Sequence, residues 1–304
     1  MVNKMSRDYF KITKDVLRKI DCKKQLKFKA NEDSLHIFCS DKGIAKAAML
    51  GFKVIILNRE TICLEDNDTI TIISSTDIRL DDNEIRLFGN THFTSVDLEN
   101  VDSHEATNMK YLFYGCNKLT AINASKFDTS SATDMSFMFT ACKNAQAIDV
   151  SHFDTSKVAD MAFMFSDCYK IALLDVSSFD TSKVETMSGM FAECKNLKTL
   201  DLSSFDTKSV KYMDGTFRNV RLSELIIGTF DLTASYCNNT VLDIFNGAKI
   251  DKLHIKNYIG YEDISDILID AGISKEVIID NAAIQSPLPE KTTKTTIFSW
   301  DNLE

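Results

Sequence analysis

Only two prolines occur in the chain, and both fall in one short stretch, Ser286-Pro-Leu-Pro-Glu. Proline and the residue before it favour extended backbone, so this stretch reads as the exit from a folded body. No apolar run approaches the ~18 residues of a membrane span. The N-terminal residues lead into an amphipathic segment instead of a 7–15-residue apolar run, so no secretory leader is expected, which favours a cytoplasmic location. No excess of basic charge is present. The formal net charge is −9, which argues against a general nucleic-acid binder and is compatible with a basic protein partner.

Chemical motifs are missing as well. The strand–helix–strand pattern around 35–58 turns at Cys39-Ser40-Asp41-Lys42-Gly43, with neither G-x-G-x-x-G nor G-K-[ST]. The five histidines, 36, 92, 104, 152 and 254, are scattered outside any H-E-x-x-H pattern, and no G-x-S-x-G occurs. None of the eight cysteines forms a C-x-x-C pair. Catalytic, cofactor and metal sites are therefore not expected, and the cysteines read as reduced and buried.

What is present is a repeat. Met109, Met135, Met161, Met187 and Met213 recur every 26 residues, each followed four residues later by Phe113, Phe139, Phe165, Phe191 or Phe217. Cys116, Cys142, Cys168 and Cys194 keep the same step, as do Phe127, Phe153, Phe179 and Phe205, each opening an Asp-Thr dipeptide. A period in this range marks a stacked solenoid in which no unit buries its apolar face alone. In the copy at 153–178, Val158, Met161, Phe165 and Cys168 have three- and four-residue spacing, which predicts a short inward-facing helix begun by Ser156. Ser182 and Glu185 match a capping box in the next copy. Ile171, Leu174 and Val176 predict a strand that stacks into a parallel sheet.

The blocks 170–188 (KIALLDVSSFDTSKVETMS) and 196–213 (NLKTLDLSSFDTKSVKYM) carry a resemblance to the BspA-like branch of bacterial leucine-rich-repeat proteins, over about 97–230. That resemblance implies an α/β leucine-rich-repeat solenoid of parallel strands and short helices with a concave strand face. It also implies a role in contacting other proteins, often as an exported surface adhesin.

The chain then divides into an N-terminal α/β cap or small domain (1–84), the solenoid (85–230), degenerate repeats with a C-terminal cap (231–285) and an extended tail (286–304). Residues 6–20 read as an amphipathic helix and 41–51 as another. Strands are expected at 25–29, 35–40 and 52–58, in four short runs from 61 to 88, at 223–230, at 253–255 and at 276–280, with a helix over 261–273 ended by Gly272.

Register also predicts surface rows. Asp97, Asn123, Asp149, Asp175 and Asp201 form one on the exposed strand face, flanked by Ser125, Ser151, Ser177 and Ser203 and by Ala121, Ala147, Leu173 and Thr199. These residues are the candidate contact surface for a basic or hydrogen-bonding protein partner. A second row, Asp128, Asp154, Asp180 and Asp206, suits a turn that needs a side-chain acceptor. Phe298 and Trp300, the sole tryptophan, are candidate anchors in the tail, either for a partner or for the chain's own fold. The resulting expectation is a non-catalytic interaction scaffold. The alternatives are a BspA-like adhesin whose leader was removed and an effector or inhibitor that neutralises a target through its repeats.

Overall fold

The computed structural model describes residues 87–90, 94–98, 101–236, 243–260 and 271–284, together with 264, 268 and the strands named below outside those ranges. Its strands are β1 (Phe10–Lys11), β2 (Gln25–Ala30), β3 (Lys53–Ile56), β4 (Thr61–Glu65), β5 (Thr69–Ser74), β6 (Ile78–Arg79), β7 (Ser95–Asp97), β8 (Val101–Asp102), β9 (Ala121–Asn123), β10 (Thr199–Asp206), β11 (Arg221–Asp231), β12 (Lys249–Gly260), β13 (Ile273–Ile284) and β14 (Thr296–Phe298). They form a solenoid of parallel strands in which each coil pairs with the coil one period away.

The strand row is continuous in character but uneven in pairing. Val96 pairs with Ile122, and Asp97 with Asn123, in parallel. Through the middle coils the row thins to a bridge between Ala147 and Leu173. It strengthens again in β10–β13, all parallel, where Leu200, Leu225, Leu253 and Val277 stand in one buried file. At the N-terminal end β2 joins β7 in parallel, with Leu26 opposite Val96, so β2 and β5 continue the same sheet. The hairpin β3–β4 turns that edge antiparallel. At the other end β14 lies antiparallel on β13.

The expected strands at 25–29, 52–58, 61–65, 69–74, 223–230, 253–255 and 276–280 are present, several of them longer than expected. The helix expected over 6–20 is corrected at its described pair. Phe10–Lys11 is β1, parallel to β6, in keeping with the Tyr-Phe-Lys-Ile run there, whose aromatic and β-branched residues suit a strand. The segments 35–40 and 41–51 lie outside the described residues. Ile264 and Leu268 are helical, and Gly272 follows with φ +52°, the expected stop before β13.

The interior is the predicted one. Met135, Phe139, Cys142, Met161, Phe165, Cys168, Phe191 and Cys194 are all buried. Phe113, Phe139, Phe165, Phe191 and Phe217 stack in one column, with centroids 5.4 to 6.0 Å apart and planes nearly parallel. Phe88 extends this column at one end and Phe245 at the other.

The segment that carries these residues is not helical, which corrects the short helix expected in each repeat. Among the described residues the one continuous α-helix is a single turn, Thr233–Tyr236. Met135, Phe137, Phe139 and Ala141 instead donate their N–H groups to Asp160, Ala162, Met164 and Ser166 of the next coil. Between them Met138, Thr140 and Cys142 close four-residue turns within the coil. Phe137 and Ala141 have φ values of 59° and 61°, and Phe163 and Asp167 of 55° and 60°. An α-helix cannot contain such left-handed residues, and its N–H groups would stay within the segment. The result is a corrugated return ribbon, hydrogen-bonded from coil to coil. Parallel helices need 8–10 Å, whereas a backbone ladder needs ~4.8 Å. Ser156 and Ser182 accordingly cap no helix. Each donates its N–H to the Asp two residues before it, Asp154 or Asp180.

Candidate functional site

The strand face carries the predicted row. Asn123 donates its side-chain amide to Asp97 across one coil, 3.1 Å away. Asp149 accepts from both the N–H (3.1 Å) and the hydroxyl (2.7 Å) of Ser151, and Asp175 does the same with Ser177. Asp201 accepts from the N–H of Ser203, and Asn123 from Ser125. The serines are thus not a separate polar row. Each holds one side-chain oxygen of the acid or amide two residues before it. Those bonds from Ser151 and Ser177 hold the Asp149 and Asp175 carboxyls below the usual carboxylate range. The row stops where Ile226 takes the place after Asp201. Beside it Leu173 is 69% exposed and bridges to Ala147 in the coil before.

The second Asp row does the turn work expected of it. Asp128, Asp154, Asp180 and Asp206 each accept the N–H two residues on. The threonine after each was not singled out by sequence reasoning, yet it joins the coils. Buried Thr129, Thr155 and Thr181 donate their hydroxyls to the carbonyls of Asp154, Asp180 and Asp206 at 2.9–3.0 Å. Each hydroxyl also accepts the N–H of that same Asp, at 2.8 Å. The signal was the unbroken Phe-Asp-Thr. A turn with one side-chain acceptor explained the Asp and left the Thr without a role.

The cysteines likewise do more than fill space. Cys116, Cys142, Cys168 and Cys194 point their thiols at the carbonyls of Phe88, Phe113, Phe139 and Phe165, at 3.0–3.3 Å. Burial pushes the Cys168 thiol up to about 12. All four are free thiols. Among the described residues no group of three His, Cys, Asp or Glu side chains is placed to hold a metal ion. A small gap between Met187, Phe205, Phe217 and Phe230 is lined almost wholly by apolar atoms and offers no chemistry.

The return ribbon has its own surface file, also missed. Tyr111, Phe137 and Phe163 sit at the left-handed position, and their rings stack 4.8 and 4.9 Å apart, half-buried. Gly189 and Gly215 occupy the same position in the next two coils. A bulky side chain there costs about 1–2 kcal/mol in backbone strain. The recurring aromatic two residues after Met109, Met135 and Met161 was visible, but it reads as a variable position because glycine replaces it.

His104 bonds Asp102 at the surface, and His254 meets Asp280 across one coil at 2.8 Å. Phe298 lies in β14, opposite Val277 of the chain's own sheet, and Trp300 is outside the described residues.

A repeat every 26 residues, its coils tied by backbone, threonine and thiol bonds, defines a parallel-strand repeat solenoid. The chain belongs to the family described as Mycoplasma protein of unknown function, DUF285, whose model matches residues 84–173 and again 149–258. No curated protein and no solved structure matches it. Among the described residues no helix is long and apolar enough to cross a membrane.

Proposed function

We propose that the chain is a non-catalytic scaffold that binds another protein along its strand face. The observation that carries this reading is Leu173, 69% exposed, on the face that also presents Asp149, Asp175 and Asp201. A large exposed apolar side chain ringed by charge is the composition of an interaction patch, with an anchor at its centre and a polar rim. Ser151 and Ser177 fix the carboxylates before any partner arrives, so little ordering is left to be done on binding. Such a face suits a partner with lysine or arginine around an apolar residue. The resemblance of the repeats to the BspA-like branch supports the same reading, because it would imply recognition by an array. Rows of equivalent aspartates also lack the asymmetry that acid–base catalysis needs.

The test is affinity enrichment from extracts of the source organism, using the whole chain and a variant carrying Asp149→Lys, Asp175→Lys and Asp201→Lys. A protein held by the former, lost by the latter and retained by a Lys118→Glu control supports the reading. A set of bound proteins unchanged by the triple reversal and by Leu173→Glu overturns it.

A further inference from the structure

The return ribbon places bulky rings where the fold does not need them. Gly189 and Gly215 adopt φ values of 61° and 62°, so the same backbone forms without Tyr111, Phe137 or Phe163. Strain that persists without a structural demand marks a position for functional scrutiny. Beside the rings runs a polar file, in which Asn108, Asp134, Asp160 and Thr186 bridge from coil to coil.

Lys110 shows what this arrangement holds. Its ammonium lies 5.4 Å from the Tyr111 ring centre, 5.7 Å from that of Phe137 and 3.8 Å from the Asp134 carboxylate. Two stacked rings and a carboxylate thus form a slot for a cation, within the ~6 Å reach of a cation–π contact. One coil further on the same parts recur as Phe137, Phe163 and Asp160. The residue one period after Lys110, however, is Ser136, which is buried and turned onto Asp134 at 2.6 Å. Asp160 uses one oxygen to accept the N–H of Ala162. It feels the Lys110 charge from one coil away but makes no ion pair within 4 Å among the described residues. The arrangement ends there, because Thr186 and Gly189 replace the carboxylate and the ring in the next coil.

We propose that the slot formed by Phe137, Phe163 and Asp160 takes a lysine or arginine side chain of a partner protein, in the pose that Lys110 adopts one coil earlier. Charge complementarity favours such an occupant. Partial burial raises the Asp160 carboxyl above its usual range, and a carboxylate held out of water gains most from a cation set against it. Arginine suits the slot especially well, since its planar head stacks on rings while it pairs with an acid. This slot lies on the return ribbon, apart from the strand face, and stands or falls independently of it.

The experiment is an NMR titration of the whole chain with the peptide acetyl-Gly-Arg-Gly-amide, and in parallel with its neutral citrulline counterpart. Saturable shifts are expected at Phe137, Asp160 and Phe163 for the arginine peptide alone. Asp160→Asn keeps the acceptor that Asn108 supplies in its own coil, and Phe163→Gly copies the residue found at 189. Each should weaken binding by about five-fold or more, the scale of one cation–π or surface ion-pair contact. Lys110→Met should vacate the first slot and raise the stoichiometry from one to two, a readout that does not depend on either weakened variant. Equal responses to both peptides, no saturable shift, or unchanged stoichiometry in Lys110→Met would overturn the proposal. So would self-association of the free protein abolished by Phe163→Gly, because the occupant would then be a second copy.

Discussion

Thr155 illustrates how much one side chain does between two coils. Its hydroxyl satisfies both the carbonyl and the N–H of Asp180, and it is buried. Thr155→Val keeps the shape and leaves two backbone groups without a partner, at a cost of about 1–3 kcal/mol each. Urea denaturation should therefore show Thr155→Val destabilised by about 2–6 kcal/mol, with Thr155→Ser close to the parent. The carboxylates answer to pH. The Asp149, Asp154, Asp175 and Asp180 carboxyls are held below the usual carboxylate range, each mainly by bonds from the serine two residues on. Their contribution is complete above the unfolded value of about 4 and fades as pH falls through the lower folded values. Urea midpoints should accordingly drop between about pH 5 and 2, and drop less in Ser151→Ala combined with Ser177→Ala. Asp160 works the other way, since its raised folded value relieves a cost as the pH falls. At the alkaline end, peptide-level alkylation should find Cys116, Cys142, Cys168 and Cys194 unmodified until denaturant is added, because burial disfavours every one of these thiolates that it shifts.

At the scale of the element, the return ribbon shows what could and could not be read in advance. The three- and four-residue spacing of Val158, Met161, Phe165 and Cys168 correctly named the inward side chains. It could not name the backbone, because tight turns alternating with left-handed residues bring the same side chains inward. Gly189 and Gly215 were the legible hint, as φ near +60° recurs there at one period. The strand face was more legible, because one acid or amide per coil at a fixed step has only one way to stack. What escaped was its local chemistry, since Ser151 two residues after Asp149 reads equally well as a neighbour or as a bonded partner. Gly189 also fixes a test. An added Cβ there would overlap the Phe163 ring, on a backbone with φ +61°. Gly189→Ala should cost at least about 1 kcal/mol, and less in a Phe163→Gly background, where only the backbone strain remains. A double-mutant cycle by thermal or urea unfolding measures that difference.

Across the whole molecule the coils from 101 to 219 are interchangeable in step, and each bonds only its neighbours. A solenoid of this kind gains stability unit by unit. Deleting residues 153–178, one full period, should leave a folded chain with a smaller urea m-value, whereas deleting half of that stretch would bring strand against return ribbon and abolish cooperative unfolding. Circular dichroism against urea distinguishes the two. After Asn219 the step lengthens and shortens, from Arg221 opposite Lys249 to Ile250 opposite Ile273. There long strands β11–β13 take over from the thin bridges of the middle. Their length carries a hazard, because β13 would offer a row of unpaired amides and carbonyls to any chain that came alongside. Among the described residues, Thr296–Phe298 runs against it in the opposite direction and pairs with Val277, Ile278 and Ile279. Three residues laid backwards give the next molecule no parallel template to copy. The stack thus ends on a reversal of strand direction, from parallel between β12 and β13 to antiparallel between β13 and β14.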